Sequence, residues 1–142
     1  MRWVTRENIG VDRMATAWLI ARFVDSAPEF VFIPEGSDPP GPETGITFDM
    51  PGARLSHRRG HCTFHTFVSD YRLEDPALGR LARIIDEADI VQEAPLEPAA
   101  EGLDMVCRGI RMICADDQEA IARSRTIFDG VYAYLKHELT GT

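Results

Sequence analysis

All the apolar β-rich runs, with one helical stretch among them, fall in the first 57 residues and helical spacing occupies the remainder, a division that limits the folds open to this chain. Trp3-Val4-Thr5 reads as a short opening strand. Asp12 reads as the cap of a helix whose apolar face is Val11, Met14, Ala15, Trp18, Leu19 and Phe23, ending near Asp25. Residues 29–33 form a second β-rich run, stopped by Pro34. Residues 34–45 hold four prolines and three glycines, the composition of an exposed connector. Residues 46–50 and 53–57 flank Pro51-Gly52, which predicts a hairpin whose second strand ends at His57. From there the periodicity changes. Thr63 reads as a cap for Phe64, Phe67, Val68 and Tyr71. Asp75-Pro76 opens a helix through Leu78, Leu81, Ala82, Ile85 and Ala88. Pro98 opens a third, with Leu103, Val106, Cys107, Ile110, Ile113 and Cys114 facing inward. Asp116 to Glu119 resembles a capping box before a long helix through Ile121, Phe128, Val131, Tyr132 and Leu135. The expectation is an α+β fold in one domain over residues 1–142. Its sheet would be small and mostly antiparallel, with about four strands covered by about five helices.

A chain of 142 residues supports one real core. No stretch approaches the roughly 20 apolar residues that cross a bilayer, and Met1 to Arg6 carries no apolar secretory region. Three cysteines, an odd count, do not suggest a disulfide scaffold, so the expected setting is cytoplasmic and off the membrane. A formal net charge of -8 argues against non-specific nucleic-acid binding, which depends on phosphate neutralisation.

Against that acidity, the segment between Asp49 and Asp70 has no carboxylate. It holds Arg54, Arg58, Arg59, Cys62 and three of the four histidines: His57, His61 and His65. Imidazole and thiolate are metal ligands, and a shell built on these would need a carboxylate from Asp49, Asp89 or Asp12. The spacing is not that of a zinc finger. The ion expected is a divalent transition metal (Fe, Mn or Zn). Residues 84–107 carry seven acids and no base, a solvated face from which one or two carboxylates would turn toward the basic segment. The alternative is anion binding, in which Arg58, Arg59 and Thr63 join the free amides of a helix terminus. Cys62, beside arginine and histidine ahead of a helix start, reads either as a ligand or nucleophile with a lowered thiol pKa or as a small buried hydrophobe. Asp12 and Arg13 would face the same cleft as the hairpin exit. Gly36, Gly41 and Gly45 do not form a phosphate-binding turn between strand and helix, so no nucleotide cofactor is expected.

Several blocks resemble the chromate-resistance ChrB C-terminal domain family. They are Trp3-Val4-Thr5-Arg6, the run from Val11-Asp12-Arg13 through Trp18-Leu19-Ile20 to Arg22-Phe23, and Phe30 to Pro34. The likeness continues through Phe48-Asp49, Leu55-Ser56-His57, Gly60, Cys62-Thr63-Phe64 and Asp75-Pro76-Ala77-Leu78. Members of that family often carry a longer amino-terminal region, to which a regulatory role belongs more naturally, and the expectation is a chain without it. His65 stands where the family pattern has an acidic residue, an exchange of one metal ligand for another. The resemblance implies a role in chromate resistance: metal-dependent redox turnover of an oxyanion or of superoxide, or non-enzymatic sensing of chromate or sulfate. The implied partners are a small inorganic anion or a reactive oxygen species. A homo-oligomer would follow if the basic loop docked on the acidic 84–107 stretch of a second copy.

Overall fold

A computed structural model describes residues 1–90 and 92–141. Among these the chain forms three strands and five α-helices. The strands are β1 (Arg2–Arg6), β2 (Glu29–Ile33) and β3 (Ile46–Thr47). The helices are α1 (Val11–Leu19), α2 (Thr63–Asp70), α3 (Pro76–Asp89), α4 (Ala99–Ile113) and α5 (Asp117–Thr140). The α+β class and the helix number are as the sequence predicts. The sheet is not. Its order is β2-β1-β3, and both pairings to β1 are parallel, with Trp3 opposite Phe30 on one side and Ile46 on the other.

The correction has a physical origin. Trp3, Val4 and Thr5 are all buried, so the central strand is covered on both faces, as parallel strands are. The expected antiparallel hairpin around Pro51-Gly52 reduces to a turn. Ala53 donates its N–H to the Met50 carbonyl, and Phe48 and Leu55 meet only in an isolated bridge. Proline at the first turn position does not supply the left-handed geometry that tight hairpins need.

Helix α1 continues as a π-helical turn over Ile20–Val24, closed by the Asp25 N–H bonding to the Ile20 carbonyl at 2.8 Å. Gly10, not Asp12, occupies the N-cap of α1, and Asp12 lies in the first turn. Asp75 and Asp116 cap α3 and α5 through their carboxylates, as their sequence contexts predict. On α4 the inward face is narrower than expected: Leu103 and Cys107 are buried, whereas Val106 and Ile113 are exposed. Phe48 packs edge to face on both Trp3 and Phe67 at the centre of the core, with Trp3 and Phe67 tilted against each other, and α3 lies against α1, α2, α4 and α5.

The parallel sheet determines where a site can form. The chain leaves β1 for α1 and β2 on one side, while β3 pairs on the other. The carboxyl ends of strands at such a reversal open a crevice.

Candidate metal centre

A cleft of about 280 Å³ lies just beyond those carboxyl ends, lined by Asp12, Arg13, Glu35, Asp49, His57 and Asp89. Asp12 follows β1, Glu35 follows β2 and Asp49 follows β3. His57 comes from the loop before α2, and Asp89 is the last residue of α3. The His57 Nε2 lies 3.1 Å from Asp89 Oδ2, 3.2 Å from Asp12 Oδ2 and 3.6 Å from Asp49 Oδ1.

Asp12 has a second task. Its Oδ2 accepts the Thr63 N–H and its Oδ1 the Phe64 N–H, both at 2.9 Å. It thus caps α2 from another helix, not its own. Thr63 donates its hydroxyl to Asp49 Oδ1 at 2.8 Å, and Arg13 Nε donates to Asp49 Oδ2 at 2.7 Å. The Asp49 backbone is left-handed, with φ +53°, a conformation that Asp tolerates better than most residues but that still carries strain.

An imidazole nitrogen carries one hydrogen, so His57 cannot satisfy three carboxylates together. The hydrogen bond to Asp12, aided by the charges of Asp12, Asp49 and Asp89 and opposed by burial, pushes the imidazole up to about 9. Burial and the Asp12 charge push the Asp89 carboxyl up to about 6, with His57 opposing. Burial, then the Asp12 charge, raises Asp49 as well, against the pull of Arg13. Three carboxylates set against one guanidinium leave two negative charges when the imidazole is neutral, the charge a divalent cation would balance. One ligand atom from each of Asp12, His57 and Asp89 lies within 4.8 Å of the others. The donor set therefore fits a divalent ion favouring oxygen with one nitrogen.

His61 and His65 do not join this cleft. Arg58 and His61 exchange both backbone hydrogen bonds, at 3.1 and 3.0 Å, across Arg59 (φ +53°) and Gly60 (φ +80°), a type I′ turn. Alternation along that small hairpin turns His57 to one face and His61 to the other. His61 Nδ1 instead meets Asp86 Oδ2 at 2.8 Å, and its ring stacks on His65 with centroids 3.9 Å apart. Burial, then the neighbouring His61, lowers the His65 imidazole.

Of the two readings of Cys62, the structure fits the small buried hydrophobe and not the activated thiolate. The thiol is fully buried, and burial together with the Asp12 and Asp86 carboxylates raises its pKa. The helix terminus that would have lowered it is already capped by carboxylates. The same occupancy removes the anion site expected there: Asp86 holds the Cys62 N–H at 2.8 Å, and Asp12 holds the next two amides. Arg58 is committed to Asp70 through two hydrogen bonds, at 2.7 and 3.1 Å. Arg59, at the turn, lines the cleft of His61 and His65.

Of the residues singled out from sequence, Asp12, Arg13, Asp49, His57, Asp89 and Thr63 converge. His61 and His65 form a separate cluster, and Cys62 lies buried between the two. Asp86 is foreseen only as one of the seven acids of residues 84–107 and not singled out among them. Its signal was a carboxylate in phase with Leu78 and Ala82 on the buried stripe of α3, three residues before Asp89. Asp86 and Asp89 are the two members of the 84–107 acidic stretch that turn toward the histidines. A larger cleft of about 610 Å³ lies by Trp18, Arg22 and Asp129, where Asp129 accepts from both other side chains. Among the described residues no helix is long and apolar enough to cross a membrane.

Residues 3–135 match the family described as ChrB, C-terminal domain. The curated Protein ChrB of Cupriavidus metallidurans is 30% identical over 134 residues, which covers 94% of this chain and 40% of that protein. The chain therefore spans well under half the length of that relative. No solved structure matches it.

Proposed function

This chain belongs to the ChrB C-terminal domain family, and we propose that it binds a divalent transition metal (Mn, Fe or Zn) through Asp12, His57, Asp89 and Asp49. The observation that carries the reading is the meeting of three carboxylates, each from a separate element, at one imidazole nitrogen. Desolvated like charges at that distance repel unless a proton or a cation sits among them. A bound metal would supply Lewis-acid and one-electron chemistry at the cleft.

The chain's own residues do the positioning. Asp12 is locked by the two α2 amides, so its remaining lone pairs are aimed into the cleft. Thr63 and Arg13 fix the Asp49 carboxylate in the same way. His57, half exposed, forms the open side through which a small anion or reactive oxygen species would enter. In the chromate-resistance setting that the resemblance implies, redox turnover of an oxyanion or of superoxide is the reaction class to assay. Three unpaired thiols suit a reducing, cytoplasmic environment. The sensor alternative is weaker, because the helix amides and Arg58 on which it relied are already bonded within the protein.

Element analysis of untagged protein, followed by metal titration, tests the reading. The expected result is a bound ion that both His57→Ala and Asp89→Asn remove while the fold persists. Folded protein that takes up no manganese, iron or zinc, or whose uptake falls by no equivalent in either variant, would overturn it.

A further inference from the structure

We propose a second metal site, formed by His61, His65 and Asp86, that takes a borderline divalent cation of the zinc, nickel or copper class. It shares no residue with the first cleft and does not depend on it.

Each donor is held by a different feature of the fold. Asp86 projects from α3, and its Oδ1 is fixed by the buried Cys62 N–H at 2.8 Å, which leaves Oδ2 pointing at His61. His61 is placed by the Arg59-Gly60 turn, and His65 by the first turn of α2. The two imidazole planes lie 10° from parallel at 3.9 Å, and one ligand atom from each of the three side chains falls within 4.8 Å of the others. The in-plane lone pairs of two rings stacked nearly parallel do not converge on one point, so tetrahedral binding requires the rings to rotate inward. His61 can do so, since 47% of its side chain is exposed.

Two imidazoles and one carboxylate are a common set of three protein ligands for zinc with a fourth position left open. The open position would face a cleft of about 320 Å³ lined by Arg58, Arg59, Thr66 and Ser69. Arg58 does not oppose a cation there, because Asp70 already pairs with it. Nitrogen-rich donors also distinguish this cluster from the first, where oxygen dominates.

The test uses the metal-free full chain carrying His57→Ala and Asp89→Asn, so that only this cluster remains. Calorimetric titration with Zn2+ is expected to give one equivalent, with the ring signals of His61 and His65 shifting together in NMR spectra. Adding His61→Gln or His65→Gln should weaken uptake about tenfold or more. Both positions are at least partly exposed, so circular dichroism should be unchanged; Asp86 is left intact because its carboxylate holds a buried amide. No uptake by the starting variant, or uptake that survives both glutamine substitutions, would overturn the site. In the otherwise natural chain, loss of one equivalent on His61→Gln/His65→Gln with the other retained supports two sites. Undiminished uptake there retires this one and leaves the first standing.

Discussion

Two clusters flank the start of α2 and grip neighbouring backbone amides, yet they are built from opposite materials. On one side Asp12, Asp49 and Asp89 surround a single imidazole; on the other, two imidazoles share Asp86. Asp12 takes the amides of Thr63 and Phe64, and Asp86 takes that of Cys62. The difference teaches that helix capping and the placement of the clustered carboxylates are one device here. A carboxylate that spends some lone pairs on fixed N–H groups has its remaining ones fixed as well.

Removing the caps should give the largest effect. Asp12→Ala leaves two buried amides without partners and should destabilise the metal-free protein by about 3 kcal/mol. Asp86→Ala frees one such amide and should cost about 1–2 kcal/mol. Urea denaturation of the two variants measures the ratio. Equal losses would mean that the Asp12 bonds to α2 contribute less than their geometry indicates.

The next effect is in pH, where the clusters should behave oppositely. Asp89 rises from 3.8 to about 6 in the folded chain, so its contribution to folding is present below 3.8 and is lost as pH climbs through about 6. His57 rises from 6.5 to about 9; its contribution is complete below 6.5 and is lost as pH passes about 9. His65 is lowered from 6.5, so its contribution is present above 6.5 and lost as pH falls below it. Protons compete with metal at His57 and Asp89, so the gain in Tm on adding Mn2+ to chelator-treated protein should grow from pH 5 to pH 9. Asp89→Asn should flatten the acidic part of that curve. A gain independent of pH would break the assignment of these two residues as ligands.

What could be read from sequence divides along similar lines. Asp75-Pro76 and Asp116 to Glu119 announce their helices because a cap and its helix are adjacent in the chain. Asp12 is indistinguishable from a local cap, since its amide partners lie about fifty residues away. Asp12, Asp49, His57 and Asp89, which line the first cleft, are legible as candidates from their residue types alone. The separation of His57 from His61 was not, because it depends on a turn that reverses the chain at Arg59-Gly60. The parallel pairing of β1 was also hidden: alternation in residues 46–57 suits a hairpin, while the partner chosen is a strand forty residues earlier.

Cys62 lies between the clusters and shows which of them depends on it. Its buried thiol, raised in pKa, should resist iodoacetamide in the folded protein, while the partly exposed Cys114 is labelled first. Cys62→Ser should leave affinity at the first cleft within about threefold, or ~0.7 kcal/mol. Rapid labelling of Cys62, or a larger loss, would restore the thiol as a functional group.

The smallest effect concerns the turn that holds the clusters apart. Arg59 has φ +53° with a Cβ in the way, so Arg59→Gly should relieve strain and stabilise the protein by about 0.5–1 kcal/mol. Gly60 has φ +80°, and although nothing crowds a Cβ there, Gly60→Ala should cost about 1 kcal/mol through backbone strain alone. Thermal melts of both variants read the difference, and the metal titration of Gly60→Ala should match the natural chain because it moves neither a donor nor a charge. If Gly60→Ala instead merged the two binding events into one, the alternation of faces across this turn would be what keeps an oxygen-rich site and a nitrogen-rich site distinct.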